Sequence, residues 1–250
     1  MLRFVILAAM LVVSNSQARE VCTVVADAAS GKVLAQRGEC DRRVTPASTF
    51  KVAISLMGYD AGFLKDEHAP LLPFRPGYVD WRENWRMPTD PAKWMRDSVV
   101  WFSQQVTFAI GHERLAAYTQ RFGFGNADVS GLPATEGPDL SWINSSLQIS
   151  PLEQVAFLRK LVNRELGVSG HAYDMTARIT LYGEVPGGWT VHGKTGSGGG
   201  NGWYVGWATK GRRTVVFARL LKREASETGE VPVAIQARDG MVGELAQLAR

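Results

Sequence analysis

An α+β fold is predicted for this chain: one antiparallel sheet built from strands near both termini and flanked by helices, with a mainly helical lobe inserted between them. Three observations carry the prediction. Residues 22–40 read as a β-hairpin, apolar positions from 46 to about 180 recur at helical spacing, and after Gly187 the period drops to that of strands. Strands at both ends with helices between them close one sheet around a shared core. With 250 residues, 45% of them hydrophobic, the chain can form one large domain or two small lobes.

The first eighteen residues stand apart from that fold. Met1-Leu2-Arg3, an apolar run from Phe4 to Val13 and the small residues Ser16 and Ala18 read as a secretory signal cut after Ala18. The run is too short to anchor in a bilayer, and no later segment has the length. The mature protein, from Arg19, is therefore expected in the periplasm without stable membrane insertion. Removing residues 1–18 takes away Arg3 and no acid, lowering the formal charge of +4 by one. That mild charge suits an anionic small substrate and lacks the dense basic stripe of a nucleic-acid binder. The eight tryptophans are dispersed and read as packing residues.

In the hairpin, residues 23–27 and 32–36 flank a turn at Ala29-Ser30-Gly31, and Cys22 and Cys40 sit symmetrically about Gly31. Two readings follow: a Cys22–Cys40 disulfide, which an oxidising compartment favours, or two buried thiols acting as small hydrophobes. Next comes a helix over about 46–58, with Thr45 as N-cap, Pro46 in the first helical position, Phe50, Ile54 and Met57 on one face, and Gly58 or Gly62 closing it. Its residues Ser48-Thr49-Phe50-Lys51 place a hydroxyl and an amine three positions apart, on one helical face. A serine is a poor nucleophile until a base takes its proton. Taken alone, S-x-x-K equally describes a capped amphipathic helix with an incidental lysine.

Helical spacing continues through Val99, Phe102, Val106 and Ile110 and through Leu152, Val155, Leu158 and Leu161. Strands are then expected at 189–193, 203–207 and 214–218, and a last helix over 231–248. The sheet lobe is accordingly about 19–65 with 181–250, and the helical lobe about 66–180. A cleft between such lobes is a common place for a site.

Gly188-Trp189-Thr190-Val191-His192-Gly193-Lys194-Thr195 matches the phosphate-binding pattern G-x-x-x-x-G-K-[ST]. Its mechanism does not fit here. The four middle residues are bulky or β-branched and read as strand, while the glycine-rich run 196–202 that follows is a poor helix former. Lys194-Thr195-Gly196 instead ends a strand, offering a cation and a hydroxyl to a substrate carboxylate beside a glycine that admits close approach. Between the two motifs comes Ser98-Val99-Val100, placed on the helical pattern that runs into Trp101.

Taken together and in this order, these segments resemble the penicillin-recognising serine enzymes, and in detail the class D β-lactamases, or oxacillinases. The similarity rests on Ser48-Thr49-Phe50-Lys51, Ser98-Val99-Val100, Phe124-Gly125-Asn126, Trp142, Lys194-Thr195-Gly196 and residues 202–207, which span most of the mature chain. It implies a β-lactamase/transpeptidase-like fold and hydrolysis of a β-lactam through a Ser48 acyl-enzyme. The second motif is not S-D-N and no E-x-x-L-N segment supplies a separate deacylation carboxylate. The resemblance implies that Lys51, carboxylated by carbon dioxide, serves as the base instead. A desolvated pocket favours the neutral amine that carbamate formation requires, and Phe50, Val100 and Trp142 are candidate walls.

The same resemblance assigns Trp142 to hydrogen-bond the carbamate, Ser98 to relay a proton and Lys194 to polarise it. It gives Ser48 and Ser197 the oxyanion-hole amides, and Thr195 with Arg238 the substrate carboxylate. Phe124 stands where the family usually has a tyrosine and is read as packing. Residues 196–202 and 81–94 are expected to shape the pocket. The four histidines, His68, His112, His171 and His192, lack metal-ligand spacing, so no metal is expected, and His192 reads as a strand residue. No G-x-S-x-G elbow is present. Two rivals share the acylation machinery: a DD-peptidase, which deacylates β-lactams slowly, and a β-lactam sensor, which stays acylated.

Overall fold

A computed structural model describes residues 18–131, 140–224 and 229–250. The expected leader, apart from Ala18, lies outside the described residues. Strands β1 (Arg19–Asp27) and β2 (Val33–Gly38) form the N-terminal hairpin. Four more follow late in the chain: β3 (Leu181–Val185), β4 (Trp189–Gly198), β5 (Asn201–Lys210) and β6 (Arg213–Lys222). They make one six-stranded antiparallel sheet in the order β2-β1-β6-β5-β4-β3, so β1 and β6 join the two ends of the chain at its centre. The α+β fold follows from that pairing.

The hairpin turn is built by Asp27, whose carboxylate accepts from the Ser30 amide at 2.8 Å and the Ser30 hydroxyl at 2.7 Å, and by Gly31, whose φ of +74° suits glycine. Register sets Cys22 opposite Gly38, and Cys40 folds back just beyond the strand to form the Cys22–Cys40 disulfide. Strand β3 has no clear signature in the sequence. It is a five-residue edge strand interrupted by Gly183, with Leu181 and Tyr182 exposed, and short edges carry little alternation.

Eight α-helices are described: α1 (Lys51–Asp60), α2 (Pro91–Asp97), α3 (Val100–Ile110), α4 (His112–Phe122), α5 (Ser141–Asn144), α6 (Pro151–Val162), α7 (Gly170–Ile179) and α8 (Val233–Leu248). Local chemistry starts three of them, Ser169 capping α7 by accepting from the Ala172 amide. Asp90 caps α2 by accepting from the Lys93 amide, and Ser150 with Glu153 closes a capping box on α6, each followed by proline. Gly58 does not end α1, as the sequence suggests, but lies inside it. A methyl group there would stand 2.8 Å from Leu64 Cδ1 and 2.9 Å from Val106 Cγ1, so glycine is what lets α1 approach α3 closely. The helix ends at Asp60, and Gly62 follows with φ +74°.

Period-two alternation divides the core. Trp203, Val205 and Trp207 of β5 face the helices between the two halves of the sheet, whereas Tyr204 and Ala208 face α8. Burial of a side chain such as Phe217 contributes about 1.5–3 kcal/mol. Helix α8 lies so close to β5 that a methyl on Gly202 would meet the Val233 carbonyl carbon at 2.4 Å.

Candidate active site

β3 pairs with β4 only from Leu181↔His192 to Val185↔Trp189. Residues 194–198 of β4 thus have no strand on that side among the described residues, and their free edge borders a cavity of about 270 Å³. Ser48, Ser98, Val100, Thr195, Ser197 and Arg238 all line it. The run after Lys194 is not a loop: β4 continues to Gly198 and turns at Gly199 and Gly200, with φ of +56° and +78°. No helix follows, which removes the geometry of a phosphate-binding loop.

The segment that carries Ser48 differs from a single capped helix. Pro46 is the N-cap of a 3-10 turn over Ala47–Phe50, with no side-chain cap, and α1 begins only at Lys51. Tertiary contacts hold this turn in place of a cap. Trp203 Nε1 donates to the Thr45 carbonyl at 3.0 Å, Thr49 Oγ1 donates to the Pro46 carbonyl at 2.7 Å, and Gln154 Nε2 donates to Thr49 Oγ1 at 2.9 Å. Gly196 of β4 packs directly against it, since a methyl there would lie 2.8 Å from the Pro46 oxygen. Ala47 has φ +50°, a conformation costing about 1–3 kcal/mol for a residue with Cβ.

Lys51 Nζ lies 3.5 Å from Ser48 Oγ, and the lysine is wholly buried. Desolvation, with the charge of Lys194 added, holds its pKa well below the usual 10.5. Phe50 beside it packs on Phe124 at 4.9 Å and on Trp142 at 5.8 Å. Trp142 is fully buried, and its Nε1 has no hydrogen-bond partner among the described residues. Phe124 also packs on Phe157 at 5.0 Å.

Ser98 does not continue a helix. It is the C-cap of α2 in the left-handed region, φ 61° and ψ 33°, and α3 starts two residues later at Val100. This break turns its hydroxyl toward β4, where Lys194 Nζ donates to it at 2.7 Å. The same ammonium donates to the Thr195 carbonyl at 3.0 Å. Burial, followed by the charge of Arg82, brings the Lys194 pKa down to about 7.

Arg238 reaches the cavity wall but is engaged by Asp239 at 2.8 Å and lies 5.7 Å over the Tyr182 ring. His192 is a strand residue, stacked at 4.9 Å on Trp207, with Nδ1 2.8 Å from the Ala177 carbonyl. No group of three His, Cys, Asp or Glu side chains able to hold a metal occurs among the described residues. Of the segment 81–94, Trp81, Arg82 and Trp85 form the cavity rim. Trp94 is instead wholly buried and donates to Ser103 Oγ at 2.9 Å.

Two supports had no role assigned from the sequence, although Asn126 lies in the Phe124-Gly125-Asn126 motif. Gln154, on α6, braces Thr49, and nothing in its surroundings signals that pairing. Asn126 donates to the Ser146 carbonyl at 2.8 Å and accepts from the Gln148 amide at 3.0 Å. It thereby clamps the segment that follows Trp142. Gly125 completes the clamp, because a methyl there would stand 2.0 Å from the Gln148 oxygen.

Residues 21–238 match the family model for the penicillin-binding protein transpeptidase domain. The β-lactamase OXA-9 of Klebsiella pneumoniae is 43% identical over 242 residues, covering 91% of this chain and 87% of its own. The β-lactamase OXA-1 of Escherichia coli is 34% identical over 212 residues, covering 81% and 76%. Among solved structures, the class D β-lactamase OXA-427 superimposes with a TM-score of 0.84 at 38% identity, covering 91% of this chain and 98% of that one. With a serine beside a buried lysine, a bridging serine and a K-T-G strand edge around one cavity, and relatives of this identity along nine-tenths of its length, the chain belongs to the class D β-lactamases, the serine enzymes also called oxacillinases.

Proposed function

We propose that the protein hydrolyses β-lactams through a covalent Ser48 acyl-enzyme, with Lys51, N-carboxylated by carbon dioxide, as the base for both half-reactions. The β-lactamases to which it is similar support the reaction class. The observation that carries the choice of base is the Lys51 amine, wholly buried 3.5 Å from Ser48 Oγ with its pKa held well below 10.5. A neutral amine can add to carbon dioxide, whereas an ammonium cannot.

The surroundings fit a carbamate. The buried, unpartnered Nε1 of Trp142 is a donor available to it. Asp97, the one acid on the cavity wall among the described residues, is engaged by Lys93 at 2.7 Å and Arg96 at 3.0 Å, so no free carboxylate competes for the role of base. When bound, carbon dioxide would turn the Lys51 amine into an anionic carbamate whose oxygen can accept a proton.

Ser48 Oγ gives up its proton on the Lys51 side and attacks the lactam carbonyl. The amides of Ser48 and Ser197 hold the oxyanion. As the C–N bond opens, Ser98 passes its proton to the departing nitrogen and is resupplied by Lys194, while Thr195 and Arg238 hold the substrate carboxylate and Val100 walls off solvent. For deacylation, once the first proton has left the Lys51 side for solvent, a water gives its proton there and attacks the ester carbon, and Ser48 Oγ leaves with that proton.

Residues 19–250 form, in this reading, a single catalytic domain with a sheet lobe (about 19–65 and 181–250) and a helical lobe (about 66–180). Residues 1–18 export it to the periplasm. Mixing the protein with a chromogenic cephalosporin tests the reaction: many turnovers per molecule are expected, with activity lost at low pH restored by bicarbonate. A single stoichiometric burst would point instead to a DD-peptidase or a sensor. Ser48→Ala should abolish the covalent penicillin adduct seen by mass spectrometry.

A further inference from the structure

The cations around the cavity are unequally occupied. Lys194 is committed to Ser98 and Thr195, Arg96 to Asp97, and Arg238 to Asp239. The Arg82 carbonyl accepts from the Trp85 amide at 3.0 Å, but its guanidinium has no ion pair or hydrogen bond among the described residues. Its sequence neighbour Asp80 is taken by Arg86 at 2.9 Å, and Glu83 forms no ion pair with it.

Arg82 is nevertheless placed. Its guanidinium lies 5.9 Å from the centroid of Trp85, a cation–π geometry. Trp85 is a fixed platform: it is buried, its Nε1 donates to the Asp97 carbonyl at 3.0 Å, and its own carbonyl accepts from Trp101 Nε1 at 2.9 Å. Arg82 therefore stands with Trp81 and Trp85 on the wall of the cavity that Thr195 and Ser197 of β4 also line. It is close enough for its charge to act on Lys194.

In the mechanism above, the ring carboxylate of a β-lactam is met on the β4 side, by Thr195 and Arg238. An arginine without an ion pair on the Trp81–Trp85 segment is then surplus to the recognition of a substrate with one carboxylate. Uncompensated charge at the mouth of a partly enclosed site attracts the opposite charge and discriminates among ligands that carry it.

We infer that Arg82 is a specificity-determining residue that reads a second negative charge, favouring β-lactams whose acyl side chain carries a carboxylate beyond the one on the fused ring. The inference rests on the Ser48 acyl-enzyme reading, because that reading puts the ring carboxylate at β4. A rim contact of this exposure is worth about 0.2–1 kcal/mol, which is up to about fivefold in kcat/KM.

A matched pair tests it: benzylpenicillin and its α-carboxy derivative, which differ only by that carboxylate. Their ratio of kcat/KM is measured for the parent enzyme, Arg82→Gln and Arg82→Lys. Arg82→Gln is expected to lower the ratio about threefold to fivefold through KM of the dicarboxylate. Arg82→Lys should keep most of it, and raised salt should lower the parent's ratio toward that of Arg82→Gln. A ratio that stays constant across the three proteins overturns the inference. Repeating the measurement with and without bicarbonate separates the two claims, since an enzyme indifferent to bicarbonate loses the Lys51 reading while its charge discrimination stands or falls independently.

Discussion

Lys194 and Ser98 meet across the cavity, Nζ to Oγ at 2.7 Å, and this contact ties the edge of the sheet to the break between α2 and α3. Ser98 can face the strand only because it leaves the helical path, with φ 61°. Such backbone strain costs about 1–3 kcal/mol and persists where the surroundings fix it. The Lys194 contact and the capping of α2 at its other end by Asp90 supply that constraint.

Lys194 donates as an ammonium, and burial places its pKa at about 7. Raising the pH removes the proton, so kcat/KM of the free enzyme should fall as pH rises through about 7. Lys194→Arg, which stays charged, should lose that limb, and Lys194→Ala should cost roughly 100-fold in kcat/KM. Persistence of the limb in Lys194→Arg would assign it to another group.

Burying Lys51 costs stability that its chemistry requires. Its native pKa lies below the unfolded value of 10.5, so between the two the unfolded chain holds the extra proton and stability rises with pH. Lys51→Met should therefore stabilise the fold by about 1–2 kcal/mol. The gain should be full below the native pKa and shrink as pH approaches 10.5. Denaturant titrations across that range in carbon dioxide-free buffer, where Lys51 is the free amine, check the sign; destabilisation at neutral pH would speak against an uncompensated buried amine.

Trp142→Phe keeps a ring against Phe50 and removes only the N–H. More bicarbonate should then be needed for half-maximal activity, by about tenfold, matching a lost hydrogen bond of roughly 1.4 kcal/mol. Rescue at high bicarbonate distinguishes this from simple loss of packing, which added bicarbonate would not repair.

Asn126→Ala removes the clamp on the segment after Trp142 without touching the cavity wall. Each lost hydrogen bond costs about 1 kcal/mol, and the bicarbonate requirement should rise in the same direction as in Trp142→Phe. An unchanged requirement would confine Asn126 to stability alone.

The Cys22–Cys40 disulfide closes a loop of sequence separation 18 between β1 and the residue after β2. Converting both cysteines to serine should cost about 3 kcal/mol by chain entropy. Equilibrium unfolding with and without reductant measures it, and catalysis at low temperature should be spared because the bridge is far along the sheet from β4.

Much of this was legible in the residues themselves. Val24, Val205 and Val216 lie in short runs rich in β-branched and aromatic residues bounded by turn residues, as strands do, and the Ser48, Ser98 and Lys194 motifs mark the cavity. Legibility failed where tertiary contact overrides local preference. Thr45-Pro46 resembles a helix start, yet the turn at Ser48 is held by Trp203, Gln154 and Gly196 from distant elements. Ser98 lies between two apolar stretches of helical period, and no periodicity signals a left-handed residue there. Gly58 resembles a helix stop but serves contact with Leu64 and Val106. Arg82 carries no motif at all, and among the arginines that stand over rings it is distinguished by lining the cavity without an ion pair among the described residues.

The central claim is that Lys51 carries carbon dioxide. Carbon-13 NMR of the enzyme equilibrated with labelled bicarbonate tests it most directly. A single carbamate carbon resonance should appear, in proportion to activity as pH is varied, and should vanish in Lys51→Ala. A fully active enzyme without that resonance, or one whose resonance survives in Lys51→Ala, would contradict the account.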